Sequence, residues 1–271
     1  MKQLVVNADD FGFTRDVNRG IVKAHTGGIL TATTLMANGE AFADAVALGR
    51  ENPSLDIGCH LVLIGGRSLL DRDRRFPASV REMAQAVLLG RLHPYDEFRA
   101  QIEKILAAGI VPTHLDTHKH THLLPQVLNA VARLSEEFSI RWVRRPFDFP
   151  INASSQGIPA LKRITSRSLQ VVRRRFHRVL EQHGCRTTDH FAGFQITGRF
   201  RAKELESLFR ELPEGSTEFM CHPGFCTAEL GSAPTRLKES RERELDALTD
   251  PAVRLALGEL GVAIVNYRDL G

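Results

Sequence analysis

The chain has 271 residues, enough for one domain with a substantial core, and its 42% hydrophobic and 25% charged residues are those of a soluble globular protein. The opening MKQLVVNADDFG meets two aspartates after too short an apolar run for a signal peptide, and no stretch approaches the roughly 20 apolar residues of a membrane span, so a cytoplasmic location is expected. The net charge of +4 is mildly basic, but one Trp and two Tyr give few stacking platforms for single strands, and no nucleic-acid partner is expected.

From the N-terminus onward, short apolar runs alternate with amphipathic helical patterns. The runs predict strands at 4–8, 31–37, 57–63, 113–116, 142–145, 218–221 and 262–267. Helices are expected at roughly 15–26, 41–50, 79–90, 96–108, 126–138, 158–183, 201–211 and 236–259, the last broken near Pro251. Thr14 is placed to cap the first helix, and Gly27 and Gly28 to end it. This alternation implies a mostly parallel sheet covered by helices, and about seven strands in one domain point to an α/β fold of the β/α-barrel kind. The domain spans 1–271, with a less regular insertion within about 147–200. No repeat or linker divides the chain.

Polar groups cluster where the apolar runs end, as they do at the mouth of a β/α barrel. Asp9 and Asp10 follow the first strand in VVNADD; in an extended chain they point to opposite sides and can take two jobs. His60 lies in the apolar stretch IGCHL. The segment THLDTHKHTHLLP carries four of the chain's eleven histidines, His114, His118, His120 and His122, with Asp116 between them. Alternate positions share a face of a strand, but the strand must break before the helix that starts around Pro125. One or two ligands, with neighbours that support them, is the count the spacing allows, and His120 and His122 are the residues most open to a solvated-loop reading. His222 ends the apolar run in MCHPGF at a rigid turn and is a candidate general acid.

One Asp and two His leave coordination positions open for water and substrate. A second carboxylate as base and a separate histidine as acid complete a site for amide or ester hydrolysis. The four cysteines, Cys59, Cys185, Cys221 and Cys226, include no CxxC pair and read as free thiols.

The segments VNADDFG, GCHL, PTHLDTHKHTHLLPQ and MCHPGF, in this order, resemble the motifs of the YdjC family of carbohydrate deacetylases, the ChbG/HpnK group. The resemblance runs from about Lys2 to Tyr267 and is weakest in the middle third. It implies an irregular seven-stranded barrel related to the NodB-type polysaccharide deacetylases. It also implies metal-dependent hydrolysis of the N-acetyl amide of an amino sugar. Carried over by position, it makes Asp10, His60 and His118 the ligands of one divalent ion, Mg2+ or Zn2+. Asp9 becomes the general base and His222 the general acid. Arg144 orients the base or the substrate, with Arg145 competing for that role, and Asp116 and His120 support the ligands or line the pocket.

The wording of the histidine run and the segment TDHFAGF lean toward the HpnK branch, whose substrate is an acetylglucosaminyl hopanoid, over the chitooligosaccharide branch. A lipid-linked substrate would bring the protein to a membrane, and the segment from Lys162 to Arg178, with seven cations, is the stretch that could touch one. Its apolar residues Leu161, Ile164, Leu169, Val172, Phe176 and Val179 recur at helical spacing. A homodimer is compatible with the sequence, which specifies no oligomeric state. Two other classes remain open at this stage: a metal-dependent phosphoesterase built on similar ligands, and a non-catalytic membrane or nucleic-acid binder relying on the basic segment.

Overall fold

The first strand, β1 (Lys2–Phe11), is buried along nearly all of its length, as a strand covered on both faces must be. In the computed structural model, which describes residues 1–71, 73–151 and 158–270, seven further strands follow. They are β2 (Ala32–Leu35), β3 (Asp56–Leu61), β4 (His114–Thr117), β5 (Trp142–Val143), β6 (His190–Ala192), β7 (Gly215–Cys221) and β8 (Val262–Val265). Pairing is parallel, in the order β5-β4-β3-β2-β1-β7-β6. β8 pairs with Lys2–Val5 of β1, below the point where β2 takes over at Asn7. Isolated parallel bridges, Trp142 to Arg186 and Asp148 to Phe191, tie the two ends of the sheet together, so it curls into an irregular barrel.

The helices connecting these strands are α1 (Arg15–Gly27), α2 (Phe42–Glu51), α3 (Val80–Leu88), α4 (Pro94–Ala107), α5 (Pro125–Glu137), α6 (Ala160–Leu169), α7 (Arg173–Gln182), α8 (Ala202–Arg210), α9 (Ala228–Ser232), α10 (Glu239–Thr249) and α11 (Pro251–Glu259). Their starts follow local chemistry. The Thr14 hydroxyl accepts from Val17 N at 3.2 Å, and Pro94, Pro125 and Pro251 open α4, α5 and α11, where a missing N–H costs nothing.

Side-chain alternation divides the interior. Leu4, Val6 and Ala8 of β1 join the main core against the helices, whereas Val5 packs with Ala32 and Tyr267 in a separate small cluster inside the barrel. Above that cluster the barrel interior turns polar, with Asn7, Asp9, His60, His114, Asp116, Arg144 and Glu218 all buried. So many buried polar groups require partners.

The barrel agrees with the sequence reading, and three elements differ from it, one being the five-residue α9, where no helix was expected. The seven expected strands are β1 to β5, β7 and β8; β6 was not expected, because three residues are too few to show a period. The single helix expected at 158–183 is α6 and α7 joined by a 3-10 turn at Gln170–Val172. The span 147–200 thus holds α6, α7 and β6, while residues 152–157 of the expected insertion lie outside the described residues. The break near Pro251 is where α10 passes to α11, with Asp250 capping the second helix. All four cysteines are free, and no helix among the described residues is long and apolar enough to cross a membrane.

Candidate active site

The end of β1 does not stay regular. Its register against β2 shifts between Ala8 and Phe11, and Asp10 has a φ of 72°, a bulge that re-aims both aspartates. Instead of pointing to opposite sides, both carboxylates enter the barrel mouth with different partners. Asp9 is clamped by Arg144, Nη2 to Oδ1 at 2.7 Å and Nη1 to Oδ2 at 2.8 Å. Asp10 divides its two oxygens: Oδ2 accepts from Arg241 at 2.5 Å, while Oδ1 faces His118 Nδ1 at 3.2 Å and His60 Nε2 at 3.4 Å.

β3 and β4 bring the histidines to this point. His60 Nε2 lies 3.2 Å from His118 Nδ1, so Asp10 Oδ1 and the two imidazole nitrogens form a nearly equilateral triangle. The other nitrogen of His60, Nδ1, is 2.6 Å from Asp116 Oδ1, and the Thr34 hydroxyl donates to Asp116 Oδ2 at 3.0 Å. His118 is the first residue after β4, in a 3-10 turn where Lys119 and His120 have φ values of 56° and 52°. That left-handed pair ends the strand and separates the histidines. His114 bonds Asn7 at 3.0 Å inside the barrel, and His122 Nε2 lies 3.0 Å from the Arg144 carbonyl. His120 packs against Phe191 and Phe194, with its buried Nδ1 lacking a partner. His120 and His122 are therefore both buried, contrary to a solvated-loop reading.

Arg144 is the hub on the opposite side. It pairs with Asp9, with Asp116 at 2.6 Å and with Glu218 at 2.7 Å, and all four side chains are buried. Arg145 does not compete for this position: its Nη1 donates to the Asp189 carbonyl. His222 closes the ring, its Nε2 3.8 Å from Asp9 Oδ2. The turn that carries it rests on α1 at a glycine–glycine contact, where a Cβ on Gly20 would meet the Gly224 Cα at 2.3 Å. Glu244 fixes the same turn by accepting from His222 N at 2.6 Å.

Burial and neighbouring charge set the protonation states. Burial raises the Asp9 carboxyl above its ordinary value despite Arg144. Asp10 resists the same cost of burial, because Arg241, His118 and His60 hold it well below the usual carboxylate range. Burial works against charge on His60, yet Asp116 and Asp10 push it up to about 10. Asp116 is likewise held low by Arg144 and His60 against its burial. Burial lowers His222 to about 3 and raises Glu218 to about 7.

Among the described residues, two sets of donors are close enough to hold a cation: Asp10, His60 and His118, or Asp9, His60 and Asp116. The second set is already neutralised by Arg144. In the first, the buried Asp10 Oδ1 has no hydrogen-bond partner among the described residues and faces two nitrogens. Donors about 2.0–2.2 Å from one ion stand about 2.8–3.1 Å apart at octahedral angles and about 3.3–3.6 Å at tetrahedral ones, and this triangle of 3.2–3.4 Å falls between them. Asp116 on His60 Nδ1 fixes that ring with its Nε2 toward Asp10 Oδ1, an arrangement that would suit a metal ligand.

The sequence reading missed Arg241, Glu244, Glu218 and Thr34. Arg241 and Glu244 are buried on one face of α10, an otherwise charged helix. Glu218 carried a readable signal, an acid heading the apolar run FMC, which requires a buried partner.

The sequence pattern of the YdjC-like protein family matches residues 3–259, and the chain belongs to that family. A carbohydrate deacetylase of Clostridium beijerinckii is 31% identical over 276 residues, covering 99% of this chain and 100% of that protein. A carbohydrate deacetylase of Brevibacillus brevis is also 31% identical, over 279 residues with the same coverage. The solved structure of an Enterococcus faecalis protein named for cellobiose-phosphate cleavage has a TM-score of 0.77 and 25% identity, covering 100% of this chain and 99% of the other.

Proposed function

We propose that this member of the YdjC-like family is a metal-dependent carbohydrate deacetylase that removes N-acetyl groups from an amino-sugar substrate. Relatives 31% identical over their whole length carry the name carbohydrate deacetylase. The observation that carries the reading is the partnerless Asp10 Oδ1 facing His60 and His118, beside an aspartate clamped by Arg144.

Asp10, His60 and His118 would hold one Mg2+ or Zn2+ ion, which supplies polarisation of the acyl oxygen and acidification of water. Asp9 takes the proton of the attacking water, and the carboxyl raised by burial is a stronger base than an ordinary aspartate. Arg144 fixes both of its oxygens and so fixes the direction of that transfer. His222, held neutral by burial, delivers a proton to the departing nitrogen; the nearest source of that proton is Asp9, 3.8 Å from its Nε2. Asp116 holds His60, and His120, backed by the buried Phe191, stands beside the half-buried Phe194, whose ring could meet the acetyl group or the sugar.

The resemblance of the histidine run and of TDHFAGF to the HpnK branch leans toward a lipid-linked acetylglucosaminyl substrate over a soluble chitooligosaccharide. Four free cysteines suit a reducing compartment, and we assign the reaction to the cytoplasm. The test is acetate release from soluble and lipid-linked N-acetylglucosaminyl substrates, before and after chelation and with metal restored. Acetate that disappears with chelator and returns with metal supports the proposal. Acetate release indifferent to chelator, or phosphate release from simple esters without any acetate release, overturns it.

A further inference from the structure

The apolar residues of the arginine-rich helices do not share one buried face. Phe176 and Leu180 of α7 are buried, and Leu169 and Val179 pack partly on the core. In contrast, Leu161 is 75% exposed, Ile164 60%, Val171 84% and Val172 39%. At 100° per residue these four fall on one stripe that continues from α6 through the 3-10 turn. Around it stand Arg163, Arg167, Arg173, Arg174, Arg175 and Arg178, all exposed, with no Asp or Glu between residues 149 and 180. Among the described residues none of these six arginines forms an ion pair with a carboxylate.

We infer that this face docks on an anionic lipid bilayer, aliphatic stripe inserted and arginines on the headgroups. A stripe of aliphatic residues flanked by arginines is the pattern of a helix lying in a membrane interface. A second copy of the chain is a poor occupant, because a two-fold contact here would set six arginines against the same six. The other, buried side of these helices packs toward the candidate active site: Phe176 lies 5.5 Å from the His122 ring, and Lys162 Nζ donates to the Thr197 carbonyl, next to the Gly198 that Glu244 ties to His222. Docking would therefore set the bilayer against the outside of the helices that back the site, and it rests on the proposed deacetylation only for what is then acted upon.

The test is co-sedimentation of the full chain, without substrate, on phosphatidylcholine vesicles and on vesicles containing phosphatidylglycerol, at low and high salt. Binding is expected on anionic vesicles only and should weaken with salt. Arg173/Arg174/Arg175→Gln should reduce it by about a hundredfold, from the attraction each cation contributes at an anionic surface. Leu161→Ser/Ile164→Ser should also weaken it, whereas Lys23/Lys203/Arg210→Gln, which removes equal charge from other faces, should leave it intact. Acetate release from soluble substrate should be unchanged in all three variants, so a failure of the docking face is distinguishable from a failure of the deacetylase reading. No binding to anionic vesicles, or equal loss in the control variant, would overturn the inference.

Discussion

Arg144→Met puts the largest demand on the account, because one guanidinium neutralises three buried carboxylates. Arg144 contacts Asp9, Asp116 and Glu218 at 2.6–2.7 Å, and the four side chains are essentially inaccessible to solvent. Removing one partner of a buried ion pair costs about 3–5 kcal/mol, because the charge left behind is uncompensated. The melting temperature should therefore fall by roughly 5–9 °C near pH 7.5 for a chain of this size. The loss should also depend on pH. With Arg144 present, Asp116 is held below its ordinary value of 3.8, so its stabilising contribution is present above 3.8 and is lost only as pH falls through the depressed value. Without Arg144, burial is opposed less at Asp116, and Asp9 and Glu218, already raised by burial, move further up. Their penalty then grows as pH rises above the unfolded carboxylate values and is relieved by protonation as pH falls. Thermal melts of wild type and variant at about pH 7.5 and about pH 5 should show the gap narrowing in acid. A loss below about 1 kcal/mol at the higher pH, or a gap that does not change with pH, would refute the triple-pair reasoning.

Three further outcomes follow from the same geometry. Asp116→Asn removes the carboxylate that steers His60 and should weaken metal binding roughly 10–100-fold in a competition titration against a zinc chelator; unchanged affinity would detach Asp116 from the ligand set. His222→Ala should slow amide substrates more than activated esters, because an amine leaves poorly unless protonated; equal losses in parallel kinetic assays would remove the acid role. Glu218, raised from 4.5 to about 7, makes the folded state bind more protons in that window, so wild-type stability falls as pH rises through it. Glu218→Gln does not titrate, and its stability relative to wild type should rise by on the order of 3 kcal/mol across the window in urea melts; parallel profiles would show that Glu218 titrates normally.

How much of this was readable from the sequence depends on distance along the chain. His222 ends an apolar run, so its barrel-mouth position could be named from local pattern alone, whereas His60, inside the apolar stretch IGCHLVLI, and His118, after Asp116 and Thr117, were singled out by the motifs they belong to. The direction of Asp9 and Asp10 could not, since it depends on a bulge set by pairing between β1 and β2. Arg241 and Glu244 sit in ESRERELD, a pattern identical to a solvated helix face until α10 packs against α1. On α6 and α7 the helical period was legible but not the side that buries, and Leu161 and Ile164 of α6 turned outward while Phe176 of α7 turned in. The order Arg144 before Arg145 was resolved by strand direction, which points one guanidinium into the barrel and sends the other to the Asp189 carbonyl.

The central claim divides labour between adjacent aspartates, Asp10 holding the metal and Asp9 moving the proton. It is tested most directly by measuring bound metal and released acetate on the same samples of wild type, Asp9→Asn and His118→Ala, each reconstituted with the same divalent ion. Asp9→Asn should retain a full equivalent of metal and lose roughly 10²–10⁴-fold in acetate release, and His118→Ala should lose both. An Asp9→Asn protein that loses its metal while its reconstituted form still releases acetate would contradict the account and exchange the two aspartates.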